Sequence, residues 1–130
     1  MQLKQLDHVN IRTANLTEIK NWYHRILQLR DGPRPDFGFA GAWLYIGDHP
    51  IVHLVEVAED PQNLQPKIEH FAISATGIAE FLAHLKAHNV PYRLSEVPGF
   101  NIVQVNIFDP DGNHIHIDFA ADEPGMSAIK

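Results

Sequence analysis

The chain has no cysteine at all. That excludes disulfide staples and every thiolate metal site, so any metal here must be held by imidazole and oxygen. It also lacks a long apolar run. Nothing approaches the 18 residues of a membrane span, and Met1-Gln-Leu-Lys-Gln-Leu-Asp7 has no apolar signal core. The expected location is cytoplasmic, with no membrane partner. Basic charge is scarce too: ten Lys and Arg stand against sixteen Asp and Glu, a net of −6. Such a balance argues against a nucleic-acid or anionic-membrane surface. What remains is ordinary for a globular protein, 130 residues with 45% hydrophobic and 20% charged side chains, enough for one compact domain. The unusual part is nine histidines, and their placement carries information.

Near the C-terminus, Asp109-Pro110-Asp111-Gly112 is turn chemistry: proline presets φ and glycine supplies a positive one. A strictly alternating strand follows. His114, His116 and Asp118 share one face, and Ile115, Ile117 and Phe119 the other. Two imidazoles and a carboxylate in register form a candidate ligand row, set against the blander reading of a half-exposed strand.

From the start, Leu3–Thr13 alternates as a strand, with Leu6, His8, Asn10 and Arg12 on one face. Asn15 is placed to cap a helix, with Glu18 as its capping-box partner. That helix is predicted over Leu16–Leu29, burying Leu16, Ile19, Tyr23, Ile26 and Leu27. Gly32-Pro33-Arg34-Pro35 stops it, and a loop or short edge strand runs through Gly41. Ala42–Gly47 and Ile51–Val57 read as a hairpin joined by Asp48-His49-Pro50. Residues 59–66 are polar and proline-bounded, the linker-like segment of the chain. Beyond it come a strand over Lys67–Ala75, a second amphipathic helix over Ile78–His88, and strands over Tyr92–Val97, Asn101–Phe108 and Asn113–Phe119. The tail after Ala120 is expected to be mobile.

The order strand, helix, strand, strand, strand therefore occurs twice. Leu6-Asp-His-Val-Asn-Ile-Arg12 echoes Ile68-Glu-His-Phe-Ala-Ile-Ser74. Each half carries one histidine on its first strand (His8, His70) and one on its last (His53, His116). The two spacings agree to within one residue. Two copies of so long a period mean a duplicated module, not a solenoid. Scattered surface histidines have no reason to keep such a register, and a ligand role is favoured.

On these residues the chain resembles the vicinal oxygen chelate superfamily, which includes glyoxalase I, fosfomycin-resistance proteins, extradiol dioxygenases and bleomycin-resistance proteins. The resemblance runs from Leu3 to Phe119 and rests on Leu6-Asp7-His8-Val9, Glu69-His70-Phe71 and Asp109-Pro110-Asp111-Gly112. Gly32-Pro-Arg-Pro-Asp-Phe37, Trp43-Leu-Tyr45 and Val52-His-Leu54 are similar to an uncharacterised glyoxalase-like subgroup, which by itself identifies no substrate. The resemblance implies an α+β fold of paired βαβββ modules: module 1 about 3–57, a linker about 58–66, module 2 about 67–120 and a tail 121–130, all one domain. It implies a cleft with a divalent metal, and the ligands carry over onto His8, His53, His70 and His116. Zinc, nickel, iron and manganese all suit imidazole. Four histidines on tetrahedral zinc leave no open position, whereas an octahedral ion leaves two for substrate.

One departure matters. Most metal-dependent members hold a glutamate where this chain has His116, which argues against glyoxalase I itself. An all-imidazole set is neutral, so the ion keeps its full charge and acidifies bound water more strongly. It also lacks an obvious general base, and Asp118, on the His116 face, is the nearest carboxylate. Gln104 and Tyr45 join it as candidates for proton transfer and orientation. Trp43, Asn106 and Arg34 are the candidate cleft residues, Arg34 as an anion handle in a proline-stiffened loop. His114 is expected beside the site and not in it. His84 and His88, at i and i+4, are a weak second metal candidate, and His24 and His49 are expected on the surface. The expected assembly is a homodimer of four modules, and the expected partner a small-molecule substrate. The expected function is a metal-dependent lyase, isomerase or dioxygenase acting on an oxygen-chelating substrate. The alternative is a non-catalytic binding protein of the bleomycin-resistance kind.

Overall fold

The computed structural model describes residues 1–62 and 64–129; Asn63, inside the linker-like segment, and Lys130 lie outside the described residues. The chain divides into two compact units, Met1–Leu64 and Gln65–Lys130. In the first, β1 (Val9–Thr13) is followed by α1 (Leu16–Leu27), β2 (Arg30–Asp31), β3 (Gly41–Ile46) and β4 (His49–Glu56). In the second, β5 (His70–Ser74) is followed by α2 (Ile78–Ala87), β6 (Arg93–Val97), β7 (Ile102–Phe108) and β8 (His114–Ala120). The sheet orders are β1-β4-β3-β2 and β5-β8-β7-β6, the same topology twice. Each unit is a βαβββ module, as the repeat predicts. First and last strands pair in parallel and the others antiparallel.

Alternation decides which face of each sheet goes inward. In the first unit Leu44, Val52 and Leu54 are fully buried, on the face that receives Ile19, Trp22, Tyr23 and Ile26 of α1. Each such side chain contributes about 1.5–3 kcal/mol on burial. In the second unit Val103, Val105, Ile115, Ile117 and Phe119 play that part, with Phe81 of α2 5.9 Å from Phe119 between ring centroids. The opposite faces carry the histidines. Leu16 and Leu27 are only half-buried, and Trp22 takes the expected place in the core.

Several expected boundaries move. The first strand begins at Val9 rather than Leu3, because residues before Val9 have no strand partner. Asn15 stands at the N-cap without a side-chain capping bond, and its own N–H donates to Thr13 Oγ1 at 3.0 Å. The helix stops at Leu27, earlier than Leu29, because Gln28 turns left-handed (φ 59°) ahead of the prolines. The hairpin turn is Gly47-Asp48, with His49 and Pro50 inside β4, and Gly47 supplies the positive φ of 56° that a two-residue turn needs.

The tail is the main correction. Instead of leaving the surface, it docks: Met126 is 5% exposed, and a 3₁₀ turn spans Met126–Ala128. Glu123 Oε1 accepts the N–H groups of Gly77 and Ile78, the latter at 2.8 Å. This carboxylate caps the first turn of α2, where no side chain of its own N-cap residue does so.

Candidate metal centre

The turn before β8 sets the second unit's site. Asp109, 4% exposed, accepts the N–H groups of Asp111 (3.0 Å) and Asn113 (2.9 Å) on Oδ1, while Oδ2 takes the Asn113 amide at 2.8 Å. This Asx-type turn fixes the register of β8. His114 then lies opposite His70, His116 opposite Ala72, and Asp118 opposite Ser74. Because β5 and β8 run parallel, His70 sits diagonally from His116. Their rings stack at 4.0 Å with 14° between planes. His114 lies edge-on to both, 5.5 Å from His70 and 4.7 Å from His116. The three imidazoles each bring a nitrogen within 4.8 Å of the other two.

Hydrogen bonds assign the nitrogens. His70 donates Nδ1–H to Glu69 Oε2, which leaves Nε2 with the lone pair. Such a carboxylate behind a histidine is the usual support of a metal-binding imidazole. His116 is 7% exposed, and its Nδ1 is buried with no partner. An unmet buried nitrogen costs about 1–3 kcal/mol. Burial, followed by the neighbouring His70 and His114, lowers the proton affinity of His116, which favours the neutral ring that a metal requires. His114 is engaged at both ends. Nδ1 bonds Glu69 Oε1 at 2.9 Å and Nε2 bonds Asn106 Oδ1 at 3.0 Å. Asn106 is oriented by its own donation to the Arg93 carbonyl (3.1 Å) and Ser95 Oγ (3.0 Å). The three imidazoles form a group that could hold a metal ion, His114 joining only by giving up both Asn106 and the Nε2 proton it donates there.

The first unit repeats the theme without a third imidazole, since Ile51 stands two residues before His53 where His114 stands two before His116. His8 bonds Asp7 Oδ2 through Nδ1 at 2.7 Å, the counterpart of Glu69–His70. His8 stacks on His53 at 3.8 Å and 9°. Burial, ahead of the His8 charge, lowers the proton affinity of His53, and its Nε2–H donates to the Pro50 carbonyl at 3.1 Å. Where Asn106 faces His116, Trp43 faces His53 instead, stacked at 4.1 Å. Asp7 and Glu69 both lie below the usual carboxylate range because of their bonded imidazoles.

Of the remaining candidates, Asp118 shares the His116 face, and its Oδ1 is buried without a partner. Gln104 lies opposite Asp118 on β7 and accepts from Ser95 Oγ at 3.4 Å. Tyr45 donates its hydroxyl to the Pro33 carbonyl, pinning the loop that carries Arg34. Asn106, 4% exposed, spends its amide on neighbours within the unit. His84 and His88 lie 4.2 Å apart on α2, with His88 Nδ1 bonded to the His84 carbonyl. His24 and His49 are tied to backbone, at Leu29 and Asp7. The role of Asp7 and Glu69 was not drawn from the sequence, although a carboxylate directly before each first-strand histidine was its signal.

A duplicated βαβββ module with a histidine at or just before the first strand and another on the last strand of each copy defines a class. The chain matches the Glyoxalase/Bleomycin resistance protein/Dioxygenase superfamily over residues 5–117, and it belongs to that family. Among curated relatives it is 28% identical over 121 residues to a manganese-dependent 2,3-dihydroxybiphenyl 1,2-dioxygenase of Geobacillus genomosp. 3, covering 85% of this chain and 38% of that protein. It is 29% identical over 127 residues to Glyoxylase I 4 of Arabidopsis thaliana, covering 90% of this chain and 71% of that one. The chain thus spans well under half of the first relative. A crystal structure of a glyoxylase/bleomycin resistance protein/dioxygenase domain from a Frankia species superposes with a TM-score of 0.75 at 16% identity, over 98% of this chain and 99% of that one. Among the described residues no helix is long and apolar enough to cross a membrane.

Proposed function

We propose that the chain is a divalent-metal-dependent enzyme of this superfamily, of lyase, isomerase or dioxygenase type, acting on a small substrate that chelates through oxygen. The observation that carries the reading is the buried, unpartnered Nδ1 of His116 beside His70, whose other nitrogen is tied to Glu69. The candidate ligands are the pair His70 and His116 in the second unit and, taken by itself, the pair His8 and His53 in the first; zinc, nickel, iron or manganese suits imidazole. When bound, such an ion supplies Lewis acidity toward a substrate oxygen.

The chain's own residues do the rest. Glu69 and Asp7 fix the tautomers of His70 and His8, and burial favours the neutral rings of His116 and His53. Asp118, with an unpartnered oxygen on the same face as His116, is the group placed to take a substrate proton. Gln104, opposite it, is a neutral hydrogen-bonding partner for the substrate. Tyr45 acts through the loop, holding Pro33 and so the segment that carries Arg34. We also propose a homodimer, supported by large exposed side chains: Leu3 at 87%, Leu6 at 74% and Ile68 at 81%. Sedimentation as a strict monomer at micromolar concentration would remove that part.

The test is turnover of catechols, diketones, epoxides, and methylglyoxal with glutathione, with and without a chelator. Metal-dependent product from one of them is expected. Tight binding that survives metal removal, with no product from any, would make the chain a binding protein instead. Robust metal-dependent turnover of methylglyoxal with glutathione would overturn the argument from His116 against glyoxalase I.

A further inference from the structure

The loop between β2 and β3 holds a guanidinium that forms no ion pair among the described residues. Pro33 and Pro35 fix φ on either side of Arg34. The loop is anchored at its start, where the Tyr45 hydroxyl bonds the Pro33 carbonyl and the Tyr45 ring leaves no room for a side chain at Gly32. Arg34 Nη1 donates to the Phe39 carbonyl at 3.2 Å. Its other two nitrogens, Nε and Nη2, are buried and have no partner. No described carboxylate lies within ion-pair distance of the guanidinium. Asp36, two residues on, spends Oδ1 on the Gly38 N–H.

Two nitrogens on one edge of a guanidinium are the fork that takes both oxygens of a carboxylate. Leaving that fork dry and unpaired is costly, more so than for a neutral group. The walls beside it are aromatic. The guanidinium carbon lies 5.0 Å from the Phe37 ring centroid and 5.2 Å from that of Phe39. These rings lie near-parallel, 5.5 Å apart at 15°, and are 48% and 50% exposed. Phe37 continues to Trp43 at 6.3 Å, and Trp43 to His53 at 4.1 Å. Two half-exposed phenylalanines in a row are unexpected on a bare surface and suit a flat apolar body. Nη2 packs against Gly41, where a Cβ would fall 2.2 Å from the Leu54 carbonyl oxygen and 2.8 Å from Nη2.

We propose that Arg34 anchors a carboxylate site: Nε and Nη2 take the two oxygens of a small carboxylate whose flat apolar body lies against Phe37 and Phe39. Binding requires the groups that cover this edge of the guanidinium to move aside. The site stands apart from the metal reading, since it needs no ion.

The experiment uses metal-free protein, so that benzoate has no ion to chelate. Calorimetry with sodium benzoate, benzyl alcohol, acetate and inorganic phosphate is combined with the ¹⁵Nε–¹Hε signal of Arg34, assigned through bonds. Benzoate is expected to bind saturably and move that signal. Benzyl alcohol (no charge), acetate (no flat body) and phosphate (no flat body) should each bind at least about tenfold more weakly, the usual order for losing one such interaction. Arg34→Lys, which keeps the charge but not the fork, and Arg34→Met should weaken benzoate by about the same factor. An Arg34 signal unmoved by saturating benzoate would overturn the proposal in the wild-type protein alone. So would benzyl alcohol or phosphate matching benzoate.

Discussion

Glu69 touches no proposed substrate, yet its removal should be felt at the metal. Its two oxygens accept from two different imidazoles, Oε2 from His70 and Oε1 from His114 at 2.9 Å. In Glu69→Gln the side chain keeps its length but offers one acceptor oxygen and one N–H₂ donor. It can serve one histidine only, and it lacks the charge that makes the His70 nitrogen a better donor to a metal. Losing such a supporting carboxylate weakens metal affinity about 10–100-fold. At about 1.4 kcal/mol per tenfold, that is about 1.4–2.8 kcal/mol. Folding should change little, because the Glu69 side chain is 66% exposed and surface substitutions fall within about 0.5 kcal/mol. Titration of zinc or nickel against a competing chelator reads the affinity, and a thermal melt of the apo protein reads the fold. Equal affinity in the variant and the wild type would refute the reasoning about His70. A large drop in apo stability would mean that Glu69 holds the strands rather than the site.

Acid should destabilise the protein in two stages. His53 and His116 lie below the ordinary histidine value of 6.5, mainly through burial, so the unfolded chain takes up these protons first. Their contribution is complete above 6.5 and is lost as pH falls through their folded values. Asp7 and Glu69, held below 3.8 and 4.5 by their bonded histidines, act in the same direction further down. Melting temperatures between about pH 8 and pH 4 should fall monotonically, and His116→Gln should flatten the upper part of the curve; an unchanged slope would contradict the burial argument. Glu123→Ala should cost about 1–2 kcal/mol in urea unfolding by uncapping α2, whereas a truly loose tail would tolerate it without effect.

The histidine register was legible because it depends only on strand parity and on a repeat, both local properties of sequence. His114, His116 and Asp118 fall on one face for that reason, and the paired strands place them as alternation requires. Helix cores were legible to within a residue or two; Trp22 was missed although it stands three after Ile19 and four before Ile26, on the same face. The docked tail was not legible. Glu123 reaches Gly77 across 46 positions, and a carboxylate among Asp, Pro and Gly looks like any mobile end. The supporting acids, Asp7 and Glu69, were missed because neighbours in a strand point to opposite faces. Both residues precede their strands, where that rule does not apply. The loop around Arg34 gave its prolines and its charge, but not the two buried nitrogens of the guanidinium.

The claim on which the rest depends is that these imidazoles hold a divalent ion. Metal content of the purified protein, measured by elemental mass spectrometry beside His70→Ala/His116→Ala and His8→Ala/His53→Ala, tests it most directly. The account predicts bound zinc, nickel, iron or manganese in the wild type and its loss when a pair of ligands is removed, with both variants still folded by circular dichroism. Unchanged stoichiometry in both variants, or a wild-type protein that binds none of these ions on titration, would contradict it.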